Sequence, residues 1–193
     1  MAHFLTSELQ FEGANPTPAV FIDRDGTLME EVHYCNDPSQ VSLLPGVVGG
    51  LMALRLAGFR TILVTNQSGL ARGLISPEQY ERVHARLLEL LGGALLDATY
   101  MCGDSPEAPS LRRKPAPGML LEAAAEWNLD LSRSWMIGDK AIDIACGNQV
   151  GVSGILVLTG HGRQQDATGA SHIAENFAQA VCWLLGEGAM SNS

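Results

Sequence analysis

Two carboxylates one residue apart close a short apolar run: Ala19-Val20-Phe21-Ile22 is followed at once by Asp23-Arg24-Asp25-Gly26-Thr27. Side chains on a strand alternate faces, so Asp23 and Asp25 point the same way if extended geometry persists through Arg24. Carboxylates held this close resist joint ionisation without a cation. The pair therefore implies a bound metal, a shared proton, or both. Oxygen ligands suit a hard divalent ion, Mg²⁺ before others, which Asp23, the backbone carbonyl of Asp25 and a third carboxylate, Asp139, would hold. Asp23 would then attack phosphorus. Asp25 would protonate the departing alcohol and later activate water.

The chain has ten arginines and two lysines, and both lysines stand beside candidate chemistry. Lys114 lies in Arg112-Arg113-Lys114-Pro115, and Lys140 follows Trp135-Met136-Ile137-Gly138-Asp139. Lys114 is expected to neutralise charge growing on a transferred phosphoryl group. Thr65, in Thr65-Asn66-Gln67-Ser68, is expected to donate its hydroxyl to a phosphate oxygen, backed by the amides of that turn. Lys140 would orient Asp23 or offset the carboxylates, and Asp143, one helical turn beyond Asp139, would support the metal site from behind. Each segment alone has an ordinary meaning: a turn, a polar loop, a helix cap. Their common placement at the ends of apolar runs is what carries the chemical meaning.

These residues need a scaffold that brings four segments to one rim. Short apolar runs alternate with helical patterns, which predicts an α/β fold: a doubly wound, Rossmann-like parallel sheet with helices on both faces. Strands are expected over Ala19–Ile22, Arg60–Thr65, Ala98–Cys102, Ser134–Ile137 and Ser153–Leu158. Helices are expected over Val47–Ala57, Pro77–Leu91, Pro117–Trp127, Ala141–Val150 and Asn176–Leu185. The second helix has the clearest start, with Ser76 and Gln79 spaced as a capping box around Pro77. Ligands in such sheets sit beyond the carboxyl ends of the strands, where strand order reverses. Asp23, Thr65, Asp139 and the loop bearing Lys114 all fall there.

With 193 residues and no internal linker or charge block, one domain is expected over residues 18–185, preceded by an extension (1–17) and followed by a flexible tail (186–193). Net charge −9 and pI near 4.9 exclude a nucleic-acid surface. No run reaches membrane-spanning length, and the start lacks the pattern of a secretory signal, so a cytoplasmic monomer acting on a small phosphorylated substrate is expected. Cys35, Cys102, Cys146 and Cys182 lack paired metal spacing and read as reduced thiols. His3, His84 and His172 read as surface or packing residues; His161 and Arg163 read either as a solvated loop or as contacts to an anion, in which case Gly160 to Arg163 would share in specificity.

The ordered set Asp23-Arg24-Asp25-Gly26-Thr27, Thr65, Lys114 and Gly138-Asp139-Lys140-x-x-Asp143 resembles the four motifs of the haloacid-dehalogenase-like phosphohydrolases. The longer strings Val64 to Gly73, Arg113 to Met119 and Met136 to Lys140 resemble its branch of heptose-bisphosphate and histidinol-phosphate phosphatases. That resemblance implies substrate contacts at Glu31, Val32, His33, Tyr34, Asn66, Gln67, Ser68 and Lys140, with Arg113 on the substrate's distal part. Many members carry a zinc loop of paired Cys-x-His and Cys-x-Cys. Here only Cys102 remains of it, with Asp104, Ser110 and Arg112 at the other positions, so no zinc is expected. Only about 17 residues separate Thr27 from Pro45, too few for a separate cap domain. A phospho-receiver domain also uses Asp, Thr and Lys on such a sheet. Its acceptor would stand on a middle strand, whereas Asp23 follows the first.

Overall fold

The computed structural model describes residues 15–190, with side chains described as far as residue 186. The strands are β1 (Ala19–Ile22), β2 (Arg60–Asn66), β3 (Ala98–Cys102), β4 (Trp135–Gly138), β5 (Ser153–Val157) and β6 (His172–Ala174). The helices are α1 (Val47–Leu56), α2 (Pro77–Leu90), α3 (Gly118–Trp127), α4 (Ala141–Asn148) and α5 (Phe177–Met190). All strand pairs are parallel, in the order β3-β2-β1-β4-β5-β6. The order reverses between β1 and β4, so the sheet's switch point lies at the ends of the strands that carry Asp23 and Asp139.

Alternation along β1 divides the core. Val20 and Ile22 face one layer, with Leu63, Ile137 and Val157, against Leu51 and Leu54 of α1, Leu87 of α2 and Phe177 of α5. Ala19 and Phe21 face the other, with Ile62, Val64 and Met136, against Met119, Leu120 and Ala123 of α3 and Cys146 of α4. Burial of both faces is why the strands read as unbroken apolar runs. The capping box at α2 is present: Gln79 N donates to Ser76 Oγ at 3.2 Å and Ser76 N to Gln79 Oε1 at 2.8 Å. Between Thr27 and α1 the chain forms loops and one 3₁₀ turn, Pro38–Gln40, and no cap domain.

Most element ends fall within two residues of their expected positions. There are two larger differences. Strand β6 has only three residues, too short for a periodic signal, and pairs on the sheet edge through β5. Helix α5 runs on to Met190 rather than stopping at Leu185. Glycine lowers helix propensity by about 1 kcal/mol, which does not end a helix already nucleated by its packed first turns. Most of the expected N-terminal extension, including His3, and the last three residues of the expected tail lie outside the described residues.

Phe177 is buried where α5 crosses α1; a side chain at Gly50 would put a Cβ 2.8 Å from its ring. Phe177→Ala should therefore cost about 3–5 kcal/mol in urea unfolding, since a close-packed crossing cannot collapse to fill the void. Loss under about 1 kcal/mol would show that the two helices do not lock there.

Candidate active site

β1 ends in Asp23, whose N–H still extends the ladder by donating to Ile137 O at 2.9 Å. The chain then reverses through Gly26, at φ +79°, and Gly26 N donates to Met29 O at 2.8 Å. Any side chain at Gly26 would strike Asp139, with a Cβ 2.4 Å from Oδ2, and Gly160 offers the same close approach at 2.3 Å. Two glycines thus let Asp139 sit between the β1 and β5 loops. His161 N fixes it from the second loop, donating to Oδ2 at 2.8 Å.

The side chains of Asp23, Asp139 and Asp143 are buried, and one ligand oxygen from each lies within 4.8 Å of the others. Among them stands Lys114, itself buried. Its Nζ donates to Asp23 Oδ1 at 2.6 Å and to Val64 O at 2.8 Å, and pairs with Asp143 Oδ1 at 2.7 Å. Burial disfavours its charge, but the two carboxylates outweigh burial and raise the ammonium above its usual range. The same burial, with Asp23 nearby, raises the Asp143 carboxyl in spite of Lys114. The cation gains and the acid loses because three carboxylates share few positive charges. Asp139 is pushed up to about 7, chiefly by burial and then by the charge of Asp23.

The donor set fits a hard cation. Asp143 is engaged, with Oδ1 on Lys114 and Oδ2 accepting from Lys140 N at 3.0 Å. Among the described residues neither Asp143 Oδ1 nor Asp139 Oδ1 has a hydrogen-bond partner, but Asp143 Oδ1 is paired with Lys114 while Asp139 Oδ1 has no cation in contact, as an oxygen awaiting a metal would.

A cavity of about 310 Å³ opens over this cluster, lined among others by Asp23, Asp25, Lys114 and Lys140. Glu31, Val32, His33, Tyr34, Asn66, Gln67, Ser68 and Arg113 also line it, so the expected substrate-facing residues are brought together. Asp25 is only partly buried and accepts from Gln67 Nε2 at 2.9 Å and from the Arg24 guanidinium. Tyr34, held at φ +52°, touches His33 edge to face and accepts from Arg72 Nη1 at 2.8 Å. Arg72 also pairs with Glu107, tying three rim loops together.

Several expected roles need correction. Lys114 donates to Asp23 and to Val64 O and pairs with Asp143, so before any substrate arrives it holds Asp23 and is not a free cation awaiting a phosphoryl group. Lys140 does not bond Asp23; its Nζ lies 3.2 Å from Glu31 Oε2, and its charge, raised by Asp23 and Asp139 against the opposing effect of burial, acts through space. The Asn66 side chain is engaged with the Lys114 backbone, donating to its O at 3.0 Å and accepting from its N at 3.1 Å. Thr65 is buried and not among the residues that line the cavity; it accepts from Gln67 Nε2 at 2.9 Å, keeping its own hydrogen to donate. The Gln67 amide is bonded to Cys102 O at 2.7 Å and does not back Thr65.

Of the two readings for His161, the one beside the site holds: it lines the cavity with its Nε2 3.7 Å from Glu31. Its neighbour Arg163 does face away, paired with Glu175. The signal for His161 was present in its place, just past the carboxyl end of β5 beside the switch point. Arg24 was also overlooked as a cavity residue. In loop 103–111 Ser110 is a hub: its Oγ donates to Asp104 Oδ2 at 2.6 Å and accepts from Arg113 N at 3.0 Å. Cys102 Sγ donates to the same carboxylate at 3.4 Å.

Residues 111–180 match the HAD-hydrolase-like family model. The chain is 44% identical over 188 residues to the D-glycero-D-manno-heptose-1,7-bisphosphate 7-phosphatase of Thermosynechococcus vestitus, covering 88% of this chain and 96% of that protein. A protein of the same name from Chlorobaculum tepidum is 35% identical over 87% of this chain and 94% of its own length. A solved D,D-heptose 1,7-bisphosphate phosphatase from B. bronchiseptica, complexed with magnesium and phosphate, superposes with a TM-score of 0.81 at 31% identity, covering 88% of this chain and 99% of that one. With its motifs in order on a sheet of matching topology, and relatives of such identity aligned over nearly their full length, the chain belongs to the HAD-like phosphatases, the phosphoric monoester hydrolases that resemblance had implied.

Proposed function

We propose that this chain is a Mg²⁺-dependent phosphatase that removes the 7-phosphate of D-glycero-D-manno-heptose 1,7-bisphosphate through an aspartyl phosphate on Asp23. The observation that carries the proposal is the 2.6 Å bond from buried Lys114 to Asp23, in one cavity with Asp25 and within reach of the Asp139 carboxylate beneath it. A carboxylate so held stays ionised and keeps one direction, as in-line attack on phosphorus requires. Asp25, on the cavity side, gives a proton to the departing sugar oxygen and then takes one from water. Thr65 donates its hydroxyl to a phosphate oxygen. Asp23, the Asp25 carbonyl and Asp139 would hold Mg²⁺, which when bound supplies the positive charge that an anionic nucleophile needs to approach a phosphate dianion. Arg113, anchored by Ser110 and by its Nη1 on Asp104 O at 3.2 Å, faces the distal end of the substrate, where the second phosphate would lie. Loop 103–111 is closed by hydrogen bonds among Cys102, Asp104 and Ser110, and we read it as needing no zinc.

Three outcomes are expected. Asp23→Asn should lower turnover by at least about 10⁴-fold because it removes the nucleophile, while circular dichroism shows the fold retained, since the asparagine Oδ1 can still accept from Lys114 Nζ and Asp143 still pairs with it. Full activity in that variant would refute the nucleophile. Assayed in parallel on the heptose bisphosphate and on histidinol phosphate, the enzyme should release one phosphate per bisphosphate at high kcat/KM, with added zinc giving no gain. Comparable poor turnover of both would point to a generalist.

The third concerns pH. With Asp139 raised to about 7, the folded metal-free protein binds more protons than the unfolded chain between the ordinary aspartate range and about 7. Its stability should therefore fall as pH rises through that window, by an amount on the order of a few kcal/mol, and Mg²⁺ should restore it. Asp139→Asn should reduce the metal-free pH dependence in thermal melts, leaving the part due to the raised Asp143, and remove the response to Mg²⁺. A variant that kept both would place the metal elsewhere.

A further inference from the structure

Arg24 is the largest fully buried side chain among the described residues, and no step above uses it. By strand alternation it stands opposite Asp23 and Asp25, where an aliphatic side chain of similar volume would fill the space without removing a charge from water. Instead the guanidinium turns back onto its neighbour. Its Nε lies 3.2 and 3.1 Å from Asp25 Oδ1 and Oδ2, and its Nη2 lies 3.1 Å from Oδ1. Tyr80, whose ring centroid is 5.8 Å from the guanidinium carbon, lies against it and is itself stacked on His84. The arginine is thus boxed in by α2, with Nη1 buried and without a hydrogen-bond partner among the described residues. From the other side Gln67 Nε2 donates to Asp25 Oδ2 at 2.9 Å and to Thr65 Oγ1 at 2.9 Å.

A carboxylate at the end of a strand would otherwise be free to rotate in the partly open cavity. We infer that Arg24 is a positioning residue that fixes the Asp25 carboxyl for proton transfer at the substrate's bridging oxygen. This inference rests on the acid role proposed for Asp25. In the step concerned, the bond from Asp23 to phosphorus forms, the bond from phosphorus to the bridging oxygen breaks, and the proton moves from Asp25 to that oxygen. A guanidinium suits the task because its planar fork fixes direction as well as charge, which a single ammonium does not.

The test compares two monoesters of similar size on the Mg²⁺-loaded enzyme. Benzyl phosphate leaves as an alkoxide and needs a proton; p-nitrophenyl phosphate leaves as a stabilised phenolate and does not. The ratio of kcat/KM for the two reads the first transfer alone, before the phosphoenzyme is hydrolysed. Arg24→Met should lower the benzyl to p-nitrophenyl ratio by about 10-fold or more, within the range general acid catalysis supplies. Arg24→Lys, which keeps the charge and loses the fork, should lower it less, and serves if the methionine variant does not fold. A ratio unchanged in every folded Arg24 variant, whatever the loss common to both esters, would reduce Arg24 to a structural role and overturn the inference. Asp25→Ala separates the two levels. A lowered ratio there with none in the Arg24 variants sinks only the inference about Arg24, whereas an unchanged ratio in Asp25→Ala sinks the acid role itself.

Discussion

The site depends on one buried ammonium. Lys114 sits where the ends of β1, β2 and the α4 turn meet, and its three hydrogens face Asp23, Asp143 and the Val64 carbonyl. Removing such a charge from water would cost several kcal/mol if it were alone. Here it makes the crowding of acids tolerable, because Asp23, Asp139 and Asp143 could not share so small a volume without it. In return the acids keep it charged. The arrangement fixes the direction of Asp23 before any substrate arrives, which is the preorganisation that phosphoryl transfer rewards most.

Most of the surrounding structure holds that ammonium and its acids in register. Asn66 grips the Lys114 backbone with both atoms of its amide, joining the loop before α3 to the end of β2. Asp143 caps the start of α4 through Lys140 N while pairing with Lys114, so helix and site are set by one side chain. Gly26 and Gly160 admit Asp139 between two loops, and Thr159 Oγ1 closes them with a 2.6 Å bond to Gly26 O. Around this rigid floor the rim is polar and exposed, linked by Tyr34, Arg72 and Glu107. Chemistry thus lies in the buried floor, and selection among phosphate esters in the loops above it.

Much of this was legible in the chain. The alternation at Ala19 to Ile22 announced a doubly buried strand, and the acids after it announced a site, because strand geometry and the repulsion of carboxylates are local properties. Ser76 and Gln79 gave the start of α2 to the residue. What escaped was set by contacts between distant positions. Nothing local shows that Lys114 is already paired with Asp23 and Asp143, that the Asn66 amide is engaged 48 positions away, or that His161 turns toward Glu31. Arg24 was hidden for a different reason: alternation sends it to the core side, and only the packing of Tyr80 shows it curling back to Asp25. Strand β6 was too short to announce itself.

Transfer of the phosphoryl group to Asp23 before water receives it is the step on which every proposed role depends. The stereochemical course at phosphorus tests this most directly, using a monoester with an isotopically chiral phosphoryl group. Two successive in-line displacements predict net retention of configuration. Net inversion, the result of a single attack by water, would contradict it.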